Sequence, residues 1–444
     1  MTSPVDPFEI PDAALLSAAA SGTLDFMGAR RTAVVVGGGP SGLISAEVLA
    51  TAGFHVDLYE HMPSVGRKLL LAGRSGLNMT NNEPLDQMME RFGDVALVRD
   101  AVRRHPPTDL RNWAAGLDQP TYIGSSGKVF PTAFRATPLL RSWLARLRNL
   151  GVDIHVRHRW LGWAVTDDGV IDPSAHRFQT ADGTPFNVRG DVTVFALGGA
   201  SWPRVGADGA WAAVFAAAGL DVRSLRPANC GLHVNWSQVF AGRYTGVPVK
   251  NTRVSVGTTT ERGDIMITDR GLESGPIYMV SSVVRDAIDR EGRCTILIDL
   301  HPDLTVDTIA ARLSGRRTKD SATNSLRRSL GLSPVAIALL REATGNDLPS
   351  DGVLLAQLIK AVPLTIESVA PIERAISTAG GLALHELDDQ FMVRSLPGTF
   401  AAGEMLDWEA PTGGYLLQAS FSTGVAAARG AIAWSDSSLT HDDS

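Results

Sequence analysis

The chain has 444 residues, of which 44% are hydrophobic and 20% are charged, a composition typical of globular proteins with more than one core. Its formal net charge of −6 argues against nucleic acid or an anionic membrane as the main partner, because both attract basic surfaces. The two cysteines, Cys230 and Cys294, form no CxxC pair, which excludes an adjacent redox dithiol. The sequence contains no apolar stretch of membrane-spanning length and no secretory signal pattern, so a cytoplasmic location is expected.

The first elements are predicted from hydrophobic pattern and glycine placement. Residues 1–30 are expected to form an extension with a short Ala-rich helix around 13–20. The apolar, β-branched segment 32–36 predicts a buried strand, residues 41–52 predict a small-residue helix, and residues 54–60 predict a second strand. This strand–helix–strand order implies a parallel sheet with a right-handed crossover.

The middle of the chain has a different pattern from its two ends. Residues 155–195 predict a small antiparallel meander that ends in an apolar strand, residues 225–300 are strand-like, and residues 303–361 predict short helices. The end of the chain returns to a strand at 398–402 and a helix at 418–434. This order predicts one discontinuous α/β domain of the Rossmann type that carries an inserted β-plus-helical region.

The turn between the first strand and the first helix has the sequence GGGPSG, which matches the pattern GxGxxG. Gly37 permits the tight turn, Gly39 lets the backbone approach a pyrophosphate, and Gly42 lets the helix pack close to the strand. Pro40 ends the turn and Ser41 begins the helix, whose N-terminal N–H groups favour an anion. The sequence therefore predicts a dinucleotide site.

Glu60 closes the second strand, 23 positions beyond Gly37. This spacing is close to the ~20 residues expected for the carboxylate that binds ribose hydroxyls. NAD and FAD both fit this fingerprint. The alternative is a glycine-rich turn in another kind of α/β protein.

Two further segments favour FAD. Residues 66–81 predict a glycine-punctuated loop in which Arg67 or Lys68 faces a phosphate, and Asn78 or Thr80 bonds the edge of a ring. The alternative for this segment is a surface loop with incidental polarity.

The second segment combines Gly403 and Glu404 with residues 411–416. A late strand that ends in a glycine and an acid, followed by a glycine turn at a helix start, is suited to bind ribityl and pyrophosphate groups. Its helix N-terminus also favours the negative charge that develops on a reduced flavin. The alternative is a helix cap followed by a turn.

Three longer segments, GRKLLLAGRSGLNMTNN, ISTAGGLALHELD and AAGEMLDWEAPTGGYLLQASFSTG, resemble a bacterial family of NAD(P)/FAD-dependent oxidoreductases. This family includes aminoacetone-oxidase-like and bile-acid enone reductase-like flavoproteins, and the resemblance covers residues 31–434. It implies a glutathione-reductase-like FAD-binding domain interrupted by an inserted β-barrel and a small helical cap. The implied domain limits are an extension at 1–30, the FAD-binding domain at 31–208 and 368–434, the β-rich insert at 209–302, the cap at 303–367, and a tail at 435–444.

The resemblance also implies roles for individual residues. The pyrophosphate and the adenosine ribose are assigned to the glycine turn and to Glu60. The residues that line FAD are Lys68, Gly73, Asn78, Gly198, Gly403, Glu404, Gly414, Tyr415 and Leu416. The chain departs from the family at residues 75–78, SGLN where many relatives have GRCN, and at 413–416, GGYL where many have GGYN. These departures change side-chain contacts close to the flavin.

The implied activity is transfer of a hydride from NAD(P)H through bound FAD to a small organic acceptor such as an activated double bond. The insert contains no second GxGxxG, so the nicotinamide is expected to bind transiently. Three alternatives remain: a flavin amine oxidase or monooxygenase, a flavin-dependent RNA-modifying or RNA-binding protein, and a non-catalytic redox sensor. No catalytic residue and no metal site are predicted. The basic cluster within residues 316–328 is expected to be a solvated helical face or a site for an acidic group.

Overall fold

The computed structural model describes residues 30–314 and 322–442. The chain forms two compact units. Unit 1 runs to Arg226 and resumes at Ala379, and unit 2 comprises Pro227–Thr378. The helix expected around residues 13–20, and the part of the basic cluster at 315–321, lie outside the described residues.

Twenty strands are found in the described residues, outside the helical stretch between Asp299 and Val362. They are β1 Thr32–Val36, β2 His55–Glu60, β3 Thr80–Asn81, β4 Thr121–Ile123, β5 Lys128–Pro131, β6 Val152–Val156, β7 His158–Val165, β8 Ile171–Thr180, β9 Pro185–Arg189, β10 Val192–Phe195, β11 Val222–Ala228, β12 Leu232–His233, β13 Pro248–Val256, β14 Thr259–Ile267, β15 Gly271–Glu273, β16 Cys294–Asp299, β17 Val362–Ile366, β18 Ser368–Val369, β19 Ser377–Leu382 and β20 Thr399–Ala401.

The α-helices lie between these strands, in places several in succession. They are α1 Pro40–Thr51, α2 Arg67–Ala72, α3 Leu85–Glu90, α4 Ala96–Arg104, α5 Pro107–Ala115, α6 Ala136–Asn149, α7 Trp211–Ala217, α8 Gln238–Tyr244, α9 Gly275–Glu291, α10 Val306–Ser314, α11 Ala322–Leu330, α12 Pro334–Ala343, α13 Gly352–Lys360 and α14 Tyr415–Asp442. Within the described ranges, no helix is both long enough and apolar enough to cross a membrane.

Unit 1 is built on a five-stranded parallel sheet with the order β20-β10-β1-β2-β6. The central strand β1 is buried along Ala33–Val36, as expected for a parallel strand that is covered on both faces. The predicted strand–helix–strand unit is confirmed as β1, α1 and β2. An α/β Rossmann fold is therefore present, with antiparallel sheets inserted in it.

Helices α1 and α14 pack against each other beside this sheet. The two helices approach each other closely at Gly424, where an added Cβ atom would lie only 2.6 Å from the carbonyl oxygen of Ser41. The hydroxyl of Ser45 donates to the carbonyl of Gly424 at 2.9 Å. The predicted helix at 418–434 is thus present, and it begins earlier, at Tyr415.

Two antiparallel sheets complete unit 1. The predicted meander is the three-stranded sheet β7-β8-β9, whose Phe178 ring packs against Tyr59 of β2 with ring centroids 4.3 Å apart. The second is the sheet β3-β5-β4. Strands β11 and β19 pair with each other and contain the two points at which the chain passes between the units.

Unit 2 contains a seven-stranded sheet with the order β17-β16-β13-β14-β15-β12-β18. Its first and last strands, β17 and β18, are separated in sequence only by Glu367. The two ends of the strand order are therefore formed by adjacent segments of the chain. The strand-like pattern predicted over residues 225–300 missed helix α9. The buried residues Ile277, Val280 and Val284 form its inner face at helical spacing, and its β-branched composition resembles that of a strand.

The limits of unit 2 differ from those expected for the insert, which were 209 and 367. Helix α7 belongs to unit 1, because Trp211 and Phe215 are buried in the same core as the parallel sheet. The division of unit 2 into a β-rich part and a helical cap stays a prediction.

Candidate cofactor site

The glycine turn forms one wall of a cavity of about 300 Å³ in unit 1. Gly37 has φ +111°, and a Cβ atom there would lie 2.3 Å from the carbonyl oxygen of Ala196. A Cβ atom at Gly42 would lie 1.9 Å from the Gly37 carbonyl oxygen, so Gly42 serves the packing of α1 on the turn. At Gly39, by contrast, nothing lies within 4 Å of the Cβ position. The turn therefore leaves space for a ligand at the N-terminus of α1.

Glu60 lines the same cavity and is held by backbone donors. Its Oε2 accepts the N–H of Gly38 at 2.9 Å, and its Oε1 accepts the N–H of Met62 at 2.8 Å. The Nδ1 atom of His61 lies 3.2 Å from Oε1. The carboxylate is thus oriented before any ligand binds, and its remaining lone pairs can accept hydroxyl donors.

Lys68 connects two strands of the sheet. Its Nζ donates to the Ser201 hydroxyl and to Glu404 Oε2, each at 2.6 Å. Ser201 follows β10 and Glu404 follows β20, and these strands are neighbours in the parallel sheet. The side chains meet because the carboxyl ends of parallel strands lie at one edge of a sheet, where such folds bind ligands.

The segment that carries Arg67 and Lys68 was expected to be a loop, and this expectation is wrong. It forms the short helix α2, which follows Gly66 in the left-handed region with φ +69°. The side chain of Leu69 is buried, and this apolar contact stabilises the helical turn. Arg67 is also buried, and its Nη1 lies 3.3 Å from the hydroxyl of Ser64.

The start of α14 lies against strand β3. Gly414 has φ +98°, and a Cβ atom there would lie 2.6 Å from the backbone carbonyl carbon of Thr80. The Nδ2 atom of Asn81 lies 3.4 Å from the Gly413 carbonyl oxygen. Within the described part of the chain, Asn78 Oδ1 and Thr80 Oγ1 are buried and have no hydrogen-bond partner.

These two orphaned atoms test whether the site fits a flavin cofactor. Buried polar atoms are almost always satisfied by hydrogen bonds, so an unmatched pair indicates a missing ligand or water. The backbone of Thr80 lies against Gly414, just before the N-terminus of the long helix α14, whose first N–H groups have no partner within the helix. The residues present therefore fit a group with a polar ring edge.

Three other predicted residues contribute through packing. A Cβ atom at Gly73 would lie 2.5 Å from the Ala136 Cβ, so Gly73 allows the approach of α6. Tyr415 is buried, which raises the pKa of its hydroxyl, and the hydrogen bond to Glu83 raises it further. Leu416 packs against the core of unit 1.

The structure brings most of the predicted residues to one cavity. Gly198 is one of them, and its carbonyl accepts the Trp211 indole N–H at 2.8 Å. Gly403 lies just outside, where a Cβ atom would be 2.3 Å from the Ser41 hydroxyl. The predicted residues that line the cavity are Gly37, Gly39, Pro40, Ser41, Glu60, Arg67, Lys68, Gly198 and Glu404.

Another wall of this cavity is formed by residues that were not predicted from the sequence. His61, Arg159 and Asp208 line it, and Arg159 Nη1 lies 3.0 Å from Asp208 Oδ2. Burial raises the pKa of Asp208, but the Ala210 N–H and Arg159 outweigh it, so the net direction is downward. No sequence motif marks these residues, because Arg159 lies on the meander and reaches the cavity only through tertiary packing.

Comparison with known proteins places the chain in a family. The HI0933-like protein Rossmann domain matches residues 31–430. The chain is 23% identical over 411 residues to a 3-dehydro-bile acid delta(4,6)-reductase of Clostridium scindens, covering 89% of this chain and 98% of that protein. It is 24% identical over 426 residues to the ribosomal RNA dihydrouridine synthase of Escherichia coli, covering 91% and 98%.

Solved structures include proteins similar to this chain along most of its length. A 3-ketosteroid-delta4-(5alpha)-dehydrogenase of Rhodococcus jostii RHA1 has 15% identity and a TM-score of 0.49, covering 91% of this chain and 97% of that one. A flavocytochrome c3 fumarate reductase has 16% identity and a TM-score of 0.49, covering 91% and 79%. The family match spans nearly the whole chain, which confirms the resemblance seen in the sequence. The chain belongs to the HI0933-like family of FAD-dependent oxidoreductases with a Rossmann domain.

Proposed function

We propose that this protein transfers a hydride from NAD(P)H, through bound FAD, to an activated carbon–carbon double bond of a small organic acceptor. The names of two relatives, a delta(4,6)-reductase and a dihydrouridine synthase, both describe reduction of carbon–carbon double bonds. When bound, FAD supplies a ring system that accepts and donates a hydride. The protein supplies binding, orientation and electrostatics.

One observation carries the proposal: Asn78 Oδ1 and Thr80 Oγ1 are buried and unpartnered among the described residues, and the Thr80 backbone lies against Gly414 at the start of α14. An amide oxygen accepts hydrogen bonds, and a hydroxyl both accepts and donates them. The helix N-terminus favours negative charge within its first turn. The amide oxygen suits an N–H donor on the edge of a ring, and the helix N-terminus suits the negative charge that the ring gains on reduction.

The remaining residues would hold the nucleotide part of FAD. Gly39 and Ser41 would hold the pyrophosphate at the N-terminus of α1, and Glu60 would accept ribose hydroxyls. Lys68 and Glu404 would lie close to the ribityl and phosphate groups, where their mutual ion pair keeps both charges oriented. These roles are proposals about side chains and backbone groups that the structure already orients.

We also propose the finer fold: a glutathione-reductase-like arrangement for unit 1 and a barrel for unit 2. The glycine turn, the crossover meander β7-β8-β9 and the late strand β20 support the first part. The near continuity of β17 and β18 at the two ends of one ladder supports the second.

Anaerobic visible-absorption titration tests the proposed electron path. The purified, FAD-loaded protein is titrated with NADPH and, separately, with NADH, and then mixed with 2-cyclohexen-1-one and with a steroid enone. We expect the flavin band to bleach with one nicotinamide and to recover with an enone, whose product gains two hydrogens by mass spectrometry. A band that persists with both nucleotides would overturn the donor assignment.

The same experiment separates the enzymatic alternatives. If the reduced protein does not react with enones but is reoxidised by oxygen within the mixing time, the result would indicate an oxidase or a monooxygenase. A protein that binds FAD and turns over no donor–acceptor pair would indicate a redox sensor.

Uridine in RNA is a second candidate acceptor. The 24% identity to a ribosomal RNA dihydrouridine synthase over 98% of that protein favours it, whereas the net charge of −6 does not. Incubation of the reduced protein with ribosomal RNA, followed by chemical detection of dihydrouridine, tests this acceptor directly. Retention of RNA that falls steeply with salt would identify the phosphate backbone as the contact.

A further inference from the structure

A cluster of imidazole and carboxylate groups lies on one face of the parallel sheet, outside the cofactor cavity. Asp57 of β2 is directly opposite Asp153 of β6 in the parallel pairing. His55 and His155 lie two residues away from these aspartates on their own strands, so all four side chains point to the same face. Glu60, at the far end of β2, lines the cofactor cavity, whereas His55 begins the strand.

We propose that His55, Asp57 and Asp153 form a binding site for a divalent transition-metal ion, with Zn²⁺ as the best fit. The Nε2 atom of His55 lies 3.5 Å from Asp57 Oδ2 and 3.8 Å from Asp153 Oδ2. Zinc bonds of 2.0–2.2 Å at tetrahedral angles place ligand atoms about 3.4 Å apart. All three ligand atoms already lie within 4.8 Å of one another, so small side-chain rotations suffice.

His155 orients one of the proposed ligands. Its Nε2 lies 2.6 Å from Asp57 Oδ1, the carboxylate oxygen that is not directed at His55. Its ring stacks on Tyr59, with ring centroids 4.6 Å apart and an interplanar angle of 15°. Metal-ligating carboxylates are commonly held in this way by a hydrogen bond to the other oxygen. The cluster thus has ligands and a group that positions them.

The electrostatics of the cluster favour a cation. Two carboxylates directly opposite each other on adjacent strands repel. Among the described residues, no Lys or Arg forms an ion pair with Asp57 or Asp153. A bound cation would relieve this repulsion.

The solvent exposure of the cluster indicates which kind of metal site it would form. The side chains of His55, Asp57 and Asp153 are 40%, 24% and 60% exposed. The site is therefore accessible from solvent, and a fourth coordination position remains for water. Mixed imidazole and carboxylate ligands select Zn²⁺ over Mg²⁺, which prefers oxygen ligands alone. Because β6 is the edge strand, the ion would join the edge of the sheet to its neighbour β2.

Calorimetric titration of the untagged, FAD-loaded full-length protein with Zn²⁺ tests the proposal. We expect one Zn²⁺ per chain, no comparable heat with Mg²⁺, and a Zn²⁺-dependent rise in Tm. Asp153→Asn and His55→Gln should each abolish saturable binding. His155→Gln should weaken it ~10–100-fold, the cost typical of losing a group that orients a ligand.

A matched control uses His385, an exposed imidazole that lies 3.6 Å from Asp221 and outside the cluster. His385→Gln should leave Zn²⁺ binding unchanged. Circular dichroism and retained FAD verify that each variant is folded without metal. The proposal is overturned if the wild type shows no saturable Zn²⁺ binding, or if folded His55→Gln and Asp153→Asn proteins bind Zn²⁺ as the wild type does.

Discussion

The Nζ atom of Lys68 lies 2.6 Å from Oε2 of Glu404, although 336 positions separate the two residues in sequence. Their side chains are only 27% and 16% exposed, and both residues line the cofactor cavity. The pair therefore links the α2 segment to the end of β20 at the edge of the sheet where the cofactor is proposed to bind.

Replacing Lys68 tests this link. Lys68→Met removes the ammonium and leaves the Glu404 carboxylate with one charged donor fewer. We expect the free energy of unfolding to fall by about 1.5–3 kcal/mol and FAD binding to weaken. Urea unfolding and fluorescence titration with FAD measure the two effects. In the double variant with Glu404→Gln, part of the stability should return, and no recovery would contradict the assigned interaction.

Substitution of Gly39 distinguishes an effect on cofactor binding from an effect on the stability of the fold. Its Cβ position is open, and its φ of −82° is accessible to any residue. Gly39→Val should therefore change the free energy of unfolding by no more than about 1 kcal/mol, the scale of N-cap preferences. It should weaken FAD binding roughly a hundredfold, or about 3 kcal/mol, by filling the space proposed for the pyrophosphate. A Gly39→Val protein that binds FAD with the affinity of the wild type would contradict the placement of the pyrophosphate.

Gly42 provides the contrast to Gly39 within the same turn. Gly42→Ala would place a Cβ atom 1.9 Å from the Gly37 carbonyl oxygen. We expect this overpacking to destabilise the fold by about 1–3 kcal/mol even without FAD. Thermal unfolding of the FAD-free proteins distinguishes the two glycines.

Replacement of Thr80 by valine should change protein stability and FAD affinity in opposite directions. Its side chain is fully buried, and its hydroxyl has no partner among the described residues. Thr80→Val removes this cost, so the FAD-free protein should gain about 1 kcal/mol of stability. FAD affinity should fall roughly tenfold, the loss of one hydrogen bond. Urea unfolding of the FAD-free protein and FAD titration measure the two changes.

Thr252→Val is the matched control for Thr80. Thr252 is equally buried, but its hydroxyl donates to the Gly263 carbonyl at 2.8 Å. Its replacement should lower stability by about 1 kcal/mol and leave FAD affinity unchanged. Loss of stability in both variants would show that the Thr80 hydroxyl is satisfied within the fold.

The buried imidazole of His176 should make the free energy of unfolding fall in mild acid. Burial lowers its pKa to about 4, and its Nε2 lies 2.7 Å from the Thr193 hydroxyl. Because the folded-state pKa is below the unfolded value of about 6.5, its contribution is complete above pH 6.5 and is lost as the pH falls toward 4. The loss amounts to about 3 kcal/mol.

Comparison with His176→Gln isolates this contribution. Burial also lowers the pKa of His105, so the wild type and the variant share a second acid-sensitive group. Urea unfolding between pH 7 and pH 4.5 should show a steeper loss in the wild type. Parallel pH profiles for the two proteins would show that His176 is not the titrating group.

Part of the fold could be predicted from short segments. The strand at Thr32–Val36 and the helix that follows the glycine turn depend on local composition and spacing, and both are present. The spacing of Glu60 from the turn was also informative, because one strand–helix–strand unit of standard length sets it. Helix α9 was missed because its β-branched residues also suit a strand.

The register between strands lies beyond any local pattern. Asp57 and Asp153 each alternate with a histidine on their own strands, but only the pairing of β2 with β6 places them opposite each other. The same is true of Ser201 and Glu404, which meet at Lys68 because β10 and β20 are neighbours.

The sequence by itself determined the family, the glycine turn and the acid that faces it, because these depend on residues within one supersecondary unit. The tertiary structure alone decided which distant side chains share the cavity, including Arg159 and Asp208, and which polar atoms of Asn78 and Thr80 stay unsatisfied. The physical reason is that burial and hydrogen bonding are set by neighbours in space, and packing of the whole sheet selects those neighbours.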